Sequence, residues 1–309
     1  MRVLITGARG QVGHELVRQA PPPFELIALG SHELDISSAA QVNQAVAEHQ
    51  PELIINAAAY TAVDQAETDI EHAYAVNSGA CLHLAQAAEQ ANIPLLHIST
   101  DYVFSGQATQ PYCENDLCQP QSIYGASKLA GEQAIEQHCP QHIILRTSWV
   151  FGIEGNNFVK TMLRLAQTRT ELSVVADQHG NPTSARSIAM ALWRIVNRYQ
   201  TNPSQPWGTY HYSGTPSCTW YEFATEIFAQ ALQLGLIAAQ PSLNPITTAD
   251  YPTAAKRPAY SVLDNQLFSE TFGIEPLDWR QELGAVLRHS VGAHLMRDTG
   301  FKPNSSAIG

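Results

Sequence analysis

Through the first half of the chain, short, largely apolar runs alternate with longer stretches whose apolar residues recur every three or four positions. The runs cover residues 3–6, 26–29, 53–56, 95–99 and 143–146 and are too short for helices. Apolar at most positions, with no polar alternation, they suit strands buried on both faces of a sheet. The stretches between them, 11–19, 39–49, 70–91 and 124–138, carry the helical period. Strand and helix alternating at this spacing imply right-handed crossovers and a doubly wound parallel sheet.

Beyond about residue 150 the rhythm changes. Helical patterns continue at 158–169, 187–198, 220–234 and 279–289, but glycine, proline and aromatic residues crowd 202–220, and 241–258 is rich in turn formers. The expected division is a first domain over 1–150, with elements near 172–200 returning to it, and a smaller α/β domain over 151–291. Residues 292–309 lose periodicity and are expected to form a loose tail. No internal repeat is visible.

With 44% hydrophobic and 15% charged residues among 309, the chain is a soluble globular protein. Its first strand begins at the N-terminus with no signal-peptide layout, and no run of about 18 apolar residues exists to span a membrane. The charge is unevenly spread: residues 1–150 hold 5 basic and 16 acidic side chains, residues 151–309 hold 12 of each. The absence of a basic arm argues against nucleic acid as a partner. Five cysteines, with Cys113 and Cys118 lacking a second pair, read as free thiols of a cytoplasmic protein. No metal is expected.

Candidate chemistry starts at Gly7-Ala8-Arg9-Gly10-Gln11-Val12-Gly13, between the first strand and the first helix. Glycines there let backbone N–H groups approach a pyrophosphate at a helix N-terminus, as in a Rossmann-type dinucleotide site. The second strand ends Leu29-Gly30-Ser31-His32, without the acidic residue that holds a free ribose 2′-hydroxyl; Glu33 and Asp35 come later. Arg9 could meet a 2′-phosphate. The balance points to NADPH, with NADH also accepted, and places Asp35 and Ile36 near the adenine. Asn56-Ala57-Ala58-Ala59 ends a strand in small residues, which suits either cofactor approach or ordinary helix–sheet packing.

Tyr124 and Lys128 are four residues apart on a helical stretch and so share one face. A phenol can protonate the alkoxide formed when a ketone is reduced, provided that its anion is stabilised, and a neighbouring ammonium does this. Ser99-Thr100-Asp101 closes the preceding strand, at the carboxyl end where such sheets bind ligands, so the Thr100 hydroxyl could polarise the same carbonyl.

These motifs resemble the extended short-chain dehydrogenase/reductases, and within them the dTDP-4-dehydrorhamnose reductases. The likeness spans about residues 1–290 and rests on the glycine loop, Asn56 to Asp64, Ser99 to Phe104, Tyr124 to Lys128 and Arg146 to Val150. It continues through Gly155 to Phe158, Asp177-Gln178, Gly180, Pro182-Thr183, Tyr251 to Thr253 and Arg257-Pro258. The resemblance implies NAD(P)H-dependent reduction of dTDP-4-dehydro-L-rhamnose to dTDP-L-rhamnose, which supplies cell-wall or lipopolysaccharide chains. It implies Tyr124 as general acid, Lys128 as its electrostatic partner and ribose ligand, and Thr100 as the group on the C4 carbonyl. It also implies Gly10, Gln11 and Val12 at the pyrophosphate, Ala59, Tyr60 and Thr61 beside the cofactor, and Asp101 and Trp149 at the sugar. Two positions depart from the pattern. Gly30 stands where some relatives bind ribose with an acidic residue. Arg186 stands where some use a glutamate in a metal-linked dimer, although Glu15 matches its part of that site.

For the sugar diphosphate the second half offers Asn156, Asn157 and Lys160 at a helix start, and Arg257 before Pro258. Lys160 reads equally as a solvated helix face, and Trp149 alternatively as a core aromatic. His97 and His179 read as structural. The partner is then a small nucleotide sugar and the protein a monomer or homodimer. Two other functions compete. A nucleotide-sugar epimerase or dehydratase would share the Tyr124/Lys128 pair, but dehydratases follow the threonine with Asp-Glu, whereas here Asp101 precedes Tyr102. A non-catalytic regulatory subunit, like that of methionine adenosyltransferase, would not need Thr100, Tyr124 and Lys128 together.

Overall fold

Every apolar run of the first half divides its side chains between two cores. Val3 and Ile5 enter one and Leu4 the other; Leu53 and Ile55 oppose Ile54, and Ile143 and Leu145 oppose Ile144. This alternation is what a strand covered by helices on both faces requires. The computed structural model describes residues 1–298, with side chains through 289.

The first half runs β1 (Arg2–Thr6), α1 (Gln11–Arg18), β2 (Glu25–Leu29), α2 (Ala39–His49) and β3 (Leu53–Asn56). Two short helices follow, α3 (Val63–Ala66) and α4 (Ile70–Tyr74), then α5 (Ala80–Ala91), β4 (Leu95–Thr100), α6 (Ile123–His138) and β5 (His142–Thr147). The stretch expected as one helix over 70–91 is helical throughout but contains a π turn at Ala75–Gly79. Such turns gather at functional sites. Here it releases the Asn77 side chain to hold the chain after β3.

The second half contributes β6 (Val150–Phe151), α7 (Phe158–Ala166), β7 (Glu171–Val175), β8 (His179–Gly180), β9 (Thr183–Ser184) and α8 (Ala185–Thr201). It continues with β10 (Gly208–His211), β11 (Cys218–Thr219), α9 (Trp220–Gln233), β12 (Ser242–Ile246), α10 (Gln266–Phe272) and α11 (Trp279–Asp298).

The main sheet has the order β10-β5-β4-β3-β1-β2, all neighbours parallel. The order reverses between β1 and β3, where doubly wound sheets open a crevice at the carboxyl ends of their strands. The sixth strand, β10, lies within the glycine-, proline- and aromatic-rich stretch 202–220, where the sequence pattern predicts no strand. It is four residues long, Gly-Thr-Tyr-His, and is held by pairing with β5, so nothing in its local pattern announces it. Helix α8 packs into the same core as β1 and α1.

A third core, built from Phe151, Val159, Phe223, Phe228 and Trp279, organises α7, α9 and α11 with the pairs β7–β12, β8–β11 and β6–β9. Helix α11 continues to Asp298, which corrects the expected tail: residues 292–298 are helical, and 299–309 lie outside the described residues. No helix among the described residues is long and apolar enough to cross a membrane.

Candidate active site

The carboxyl ends of β1, β3 and β4 open into a cleft of about 1060 Å³ that extends to the face of the second half. Its floor begins at the glycine loop. Gly7 has φ +67, and a Cβ there would sit 2.5 Å from the Ala58 nitrogen, so only glycine lets this turn close on the end of β3. Helix α1 then starts with Gly10 as its N-cap and no side chain capping it, leaving its first N–H groups turned to the cleft.

Gly7, Arg9, Gly10, Gln11 and Val12 line this end, with Asp35 and Ile36 beyond Gly30. Gly13 does not line the cleft; it lies beneath the turn, where a Cβ would meet the Gly7 carbonyl oxygen. The Arg9 guanidinium is paired with the Glu33 carboxylate, which also accepts the Gly30 N–H at 2.8 Å. Glu33 therefore ties Arg9 to the end of β2, a link that its position in the sequence does not show. Asp35 is held below the usual carboxylate range by hydrogen bonds from Ser37.

Ala59, Tyr60 and Thr61 form the next stretch of wall. Asn77 fixes it: its Oδ1 accepts the Tyr60 N–H at 2.9 Å, and its Nδ2 donates to the Tyr60 carbonyl at 3.1 Å and to Ser127 Oγ at 3.0 Å. The π turn places Asn77 there, and no spacing in the sequence marks it.

At the centre, Thr100 ends β4 and Tyr124 lies in the first turn of α6. That helix is started by Ser122, whose hydroxyl accepts the Gly125 N–H, and by Glu67, which accepts the Ile123 N–H at 2.8 Å. The tyrosine is thus fixed at both sides of its own turn. Burial pushes the Tyr124 phenol well above the usual tyrosine range, against a hydrogen bond with Thr100 that pulls it down. Lys128, one turn on, is buried, with Nζ donating to the Ile98 carbonyl at 2.7 Å and lying 3.0 Å from His97 Nε2. Its head is therefore fixed at the cleft floor. Asp101 is also buried, and its pKa is pushed up to about 6 by that burial.

The far wall belongs to the second half. Trp149 stacks on Trp220 there and Phe158 packs tilted against Trp220, with Asn156 at the rim. Arg257 reaches in from the segment after β12; Nη1 donates to the Tyr102 hydroxyl at 2.9 Å and Nη2 to Asp64. Two expected residues stand aside. Asn157 caps α7 by accepting the Lys160 N–H, and its Nδ2 donates to Gln11 Oε1 at 2.9 Å, tying α7 to the glycine loop. Lys160 is exposed and does not line the cleft, which agrees with its reading as a solvated helix face. Trp220 was legible only as an aromatic at a helix start.

Elsewhere, Glu15 is held by Arg18 and Gln19, and Arg186 by Glu282. No cluster of His, Cys, Asp and Glu among the described residues is arranged to hold a metal ion.

The cleft wall also holds unpartnered polar groups. Ser99 Oγ, Asp101 Oδ2 and Thr147 Oγ1 are buried without a hydrogen-bond partner in the protein, and all three residues face this space. Buried polar atoms without a partner cost stability, and three of them gather at this one place.

Comparison with known proteins agrees. A family model described as the RmlD substrate binding domain matches residues 1–291. The dTDP-4-dehydrorhamnose reductase of Aggregatibacter actinomycetemcomitans is 47% identical over 284 residues, covering 91% of this chain and 97% of that protein. The crystal structure of a dTDP-4-dehydrorhamnose reductase from Clostridium acetobutylicum superposes with a TM-score of 0.87 at 39% identity, over 94% of this chain and 99% of that one. The enzyme of the same name from Bacillus anthracis, in complex with NADP, gives a TM-score of 0.85 at 39% identity, over 93% and 99% of the chains.

Proposed function

The chain belongs to the RmlD substrate binding domain family, and from this membership and the cleft we infer that it is an NAD(P)H-dependent oxidoreductase. It reduces the C4 ketone of dTDP-4-dehydro-L-rhamnose to dTDP-L-rhamnose, the last step of dTDP-rhamnose biosynthesis. The observation that carries this reading is the single cleft joining the glycine loop to Thr100, Tyr124 and Lys128. A regulatory subunit would need the loop but not those three side chains.

The residues present fit a dinucleotide. The tight turn at Gly7 and the uncapped start of α1 offer N–H groups to a pyrophosphate, and Arg9 stands beside Gly30 where a 2′-phosphate would lie. We assign Gly7, Gly10, Gln11, Val12, Ala59, Tyr60, Thr61, Asp35 and Ile36 to the cofactor, with NADPH favoured and NADH accepted. When bound, the cofactor supplies the hydride.

Tyr124 delivers the proton. Its raised pKa keeps the phenol protonated at neutral pH, so the acid form is always ready; the difficulty is the phenolate left behind. Thr100 hydrogen-bonds that oxygen, and Lys128 offsets its charge from the next turn of the same helix. Asp101, Trp149, Asn156 and Arg257 hold the sugar nucleotide, the arginine as cation for its diphosphate. The cofactor rests mainly on residues 1–150 with α8 and β10 added behind them, and the substrate mainly on 151–291. This reading describes a cytoplasmic enzyme, monomeric or homodimeric.

The test mixes enzyme, NADPH or NADH, and dTDP-4-dehydro-L-rhamnose, and follows the absorbance of reduced nicotinamide. Oxidation stoichiometric with the sugar is expected, and its failure would overturn the reading. Tyr124→Phe should cut kcat by roughly 10²- to 10⁴-fold with the cofactor still bound.

A further inference from the structure

Beneath the active site, a buried chain of side chains constrains the proton on Lys128. It begins at Asn56, whose Oδ1 accepts the Ala58 backbone N–H at 3.1 Å and the Thr6 hydroxyl at 2.6 Å. A backbone N–H can only donate, so the oxygen of this amide is fixed and its Nδ2 is turned to His97, 2.9 Å from Nδ1. An amide nitrogen can only donate, so Nδ1 of His97 accepts. A neutral imidazole accepting at Nδ1 carries its proton on Nε2. That proton points at Lys128 Nζ, 3.0 Å away. An amine can accept it through its lone pair; an ammonium has none.

We propose that Asn56 and His97 are positioning residues for Lys128. Asn56 holds His97 as its Nε2–H tautomer, and His97 donates to the neutral amine of Lys128, so that loss of a proton from Lys128 completes a hydrogen-bond chain that the ammonium form breaks. In the reductase reading, on which this consequence rests, Lys128 lends a proton toward the Tyr124 phenolate. The N–H bond of the ammonium breaks, the phenol O–H is restored, and the amine left behind is received by His97. Recovery of a proton from solvent then forces His97 to change tautomer against Asn56. The cost of that change draws the titration of Lys128 toward the working pH, where a relay group is most effective.

The surroundings are consistent with this. Burial lowers the pKa of the Lys128 ammonium and keeps His97 well below the usual imidazole range, so His97 is not the cation. Of the other groups facing the pair, Cys81 on α5 lies 3.8 Å from His97 Nε2 and stays a thiol, its pKa pushed up to about 11 by burial. Glu132, one turn along α6, favours the ammonium but is held at 2.7 Å by Arg146 of β5. Tyr124 lies a turn back on α6, and Asp101 follows β4.

The direct test is the tautomer. Two-bond ¹⁵N–¹H correlation spectra of histidine-labelled protein, with the His97 signals identified by their loss in His97→Gln, should show a bare Nδ1 and a protonated Nε2 near pH 9. A protonated Nδ1 there would overturn the proposal whether or not the protein is a reductase. Asn56→Asp keeps the acceptor for Ala58 and Thr6 but presents an oxygen to Nδ1. It should invert the tautomer and move the alkaline limb of kcat up by about one pH unit. A wild-type tautomer and an unmoved limb in that variant would equally overturn it.

Discussion

The indole of Trp149 lies flat on that of Trp220, ring centroids 3.5 Å apart and planes 8° from parallel. Trp149 pays for that position with a φ of +46, a left-handed conformation that a bulky residue seldom adopts. Its surroundings enforce it. A Cβ at Gly180 would lie 2.4 Å from the indole, and Trp220 is itself pinned by donating Nε1–H to Gln178 Oε1 at 3.1 Å. Backbone strain of this kind persists only where the surroundings over-determine it.

Replacing Trp220 by leucine should therefore loosen the sugar platform without touching the glycine loop. An aromatic pair contributes about 0.5–1.5 kcal/mol beyond its area, so KM for the nucleotide sugar should rise roughly 2- to 12-fold. Cofactor Kd, measured by fluorescence titration, should be unchanged. A cofactor affinity that fell in step with KM would mean that the stack supports the fold and not the substrate.

The Arg9–Glu33 pair bears on cofactor choice. Glu33 is held below the usual carboxylate range, first by the Gly30 N–H and also by Arg9, and its negative charge occupies the arginine that a 2′-phosphate would use. Exposed pairs of this sort are weak, so Glu33→Gln should raise the NADPH-over-NADH ratio of kcat/KM by only about 2- to 5-fold. Arg9→Ala should lower it. Steady-state kinetics with both cofactors decides; an unchanged ratio in both variants would remove Arg9 from the 2′ site.

The sheet, the glycine loop and the Tyr124–Lys128 helix could be read from the chain because each is a local pattern: an apolar run, a turn chemistry, a four-residue spacing. What escaped reading depends on contacts between distant residues. β10 exists because β5 offers it an edge, and Asn77 matters because a π turn aims it at Tyr60, seventeen positions earlier. Asn157 shows the converse. Its place at a helix start was legible, but whether its amide faced substrate or Gln11 depended on how the two halves meet. His97 read as structural because a largely apolar strand gives no sign of what a polar residue within it touches.

Glu132 and Arg146 form a buried ion pair, with Arg146 Nε and Nη2 both on the carboxylate and the guanidinium over the ring of Phe104. Removing one partner leaves the other charge buried and uncompensated. Glu132→Gln should cost about 3–5 kcal/mol of stability, read from the midpoint of urea denaturation. A loss under about 1 kcal/mol would show that water or Glu114 compensates Arg146.

Asp101 makes stability depend on pH in a direction opposite to that of most carboxylates. Burial raises its pKa to about 6, against hydrogen bonds with Ser261 and Thr100 that lower it, while the unfolded chain has the ordinary value near 3.8. The folded state thus prefers the protonated form. Its stabilising contribution is complete below the unfolded pKa and is lost as pH rises through about 6. Asp101→Asn keeps the shape and removes the titration. Between about pH 4 and pH 8 the stability difference, variant minus wild type, should move in the variant's favour by roughly 2.4 kcal/mol. Urea denaturation at the two pH values measures it, and a difference that stayed constant would mean that Asp101 is ionised in the folded protein throughout, with a partner for its open oxygen.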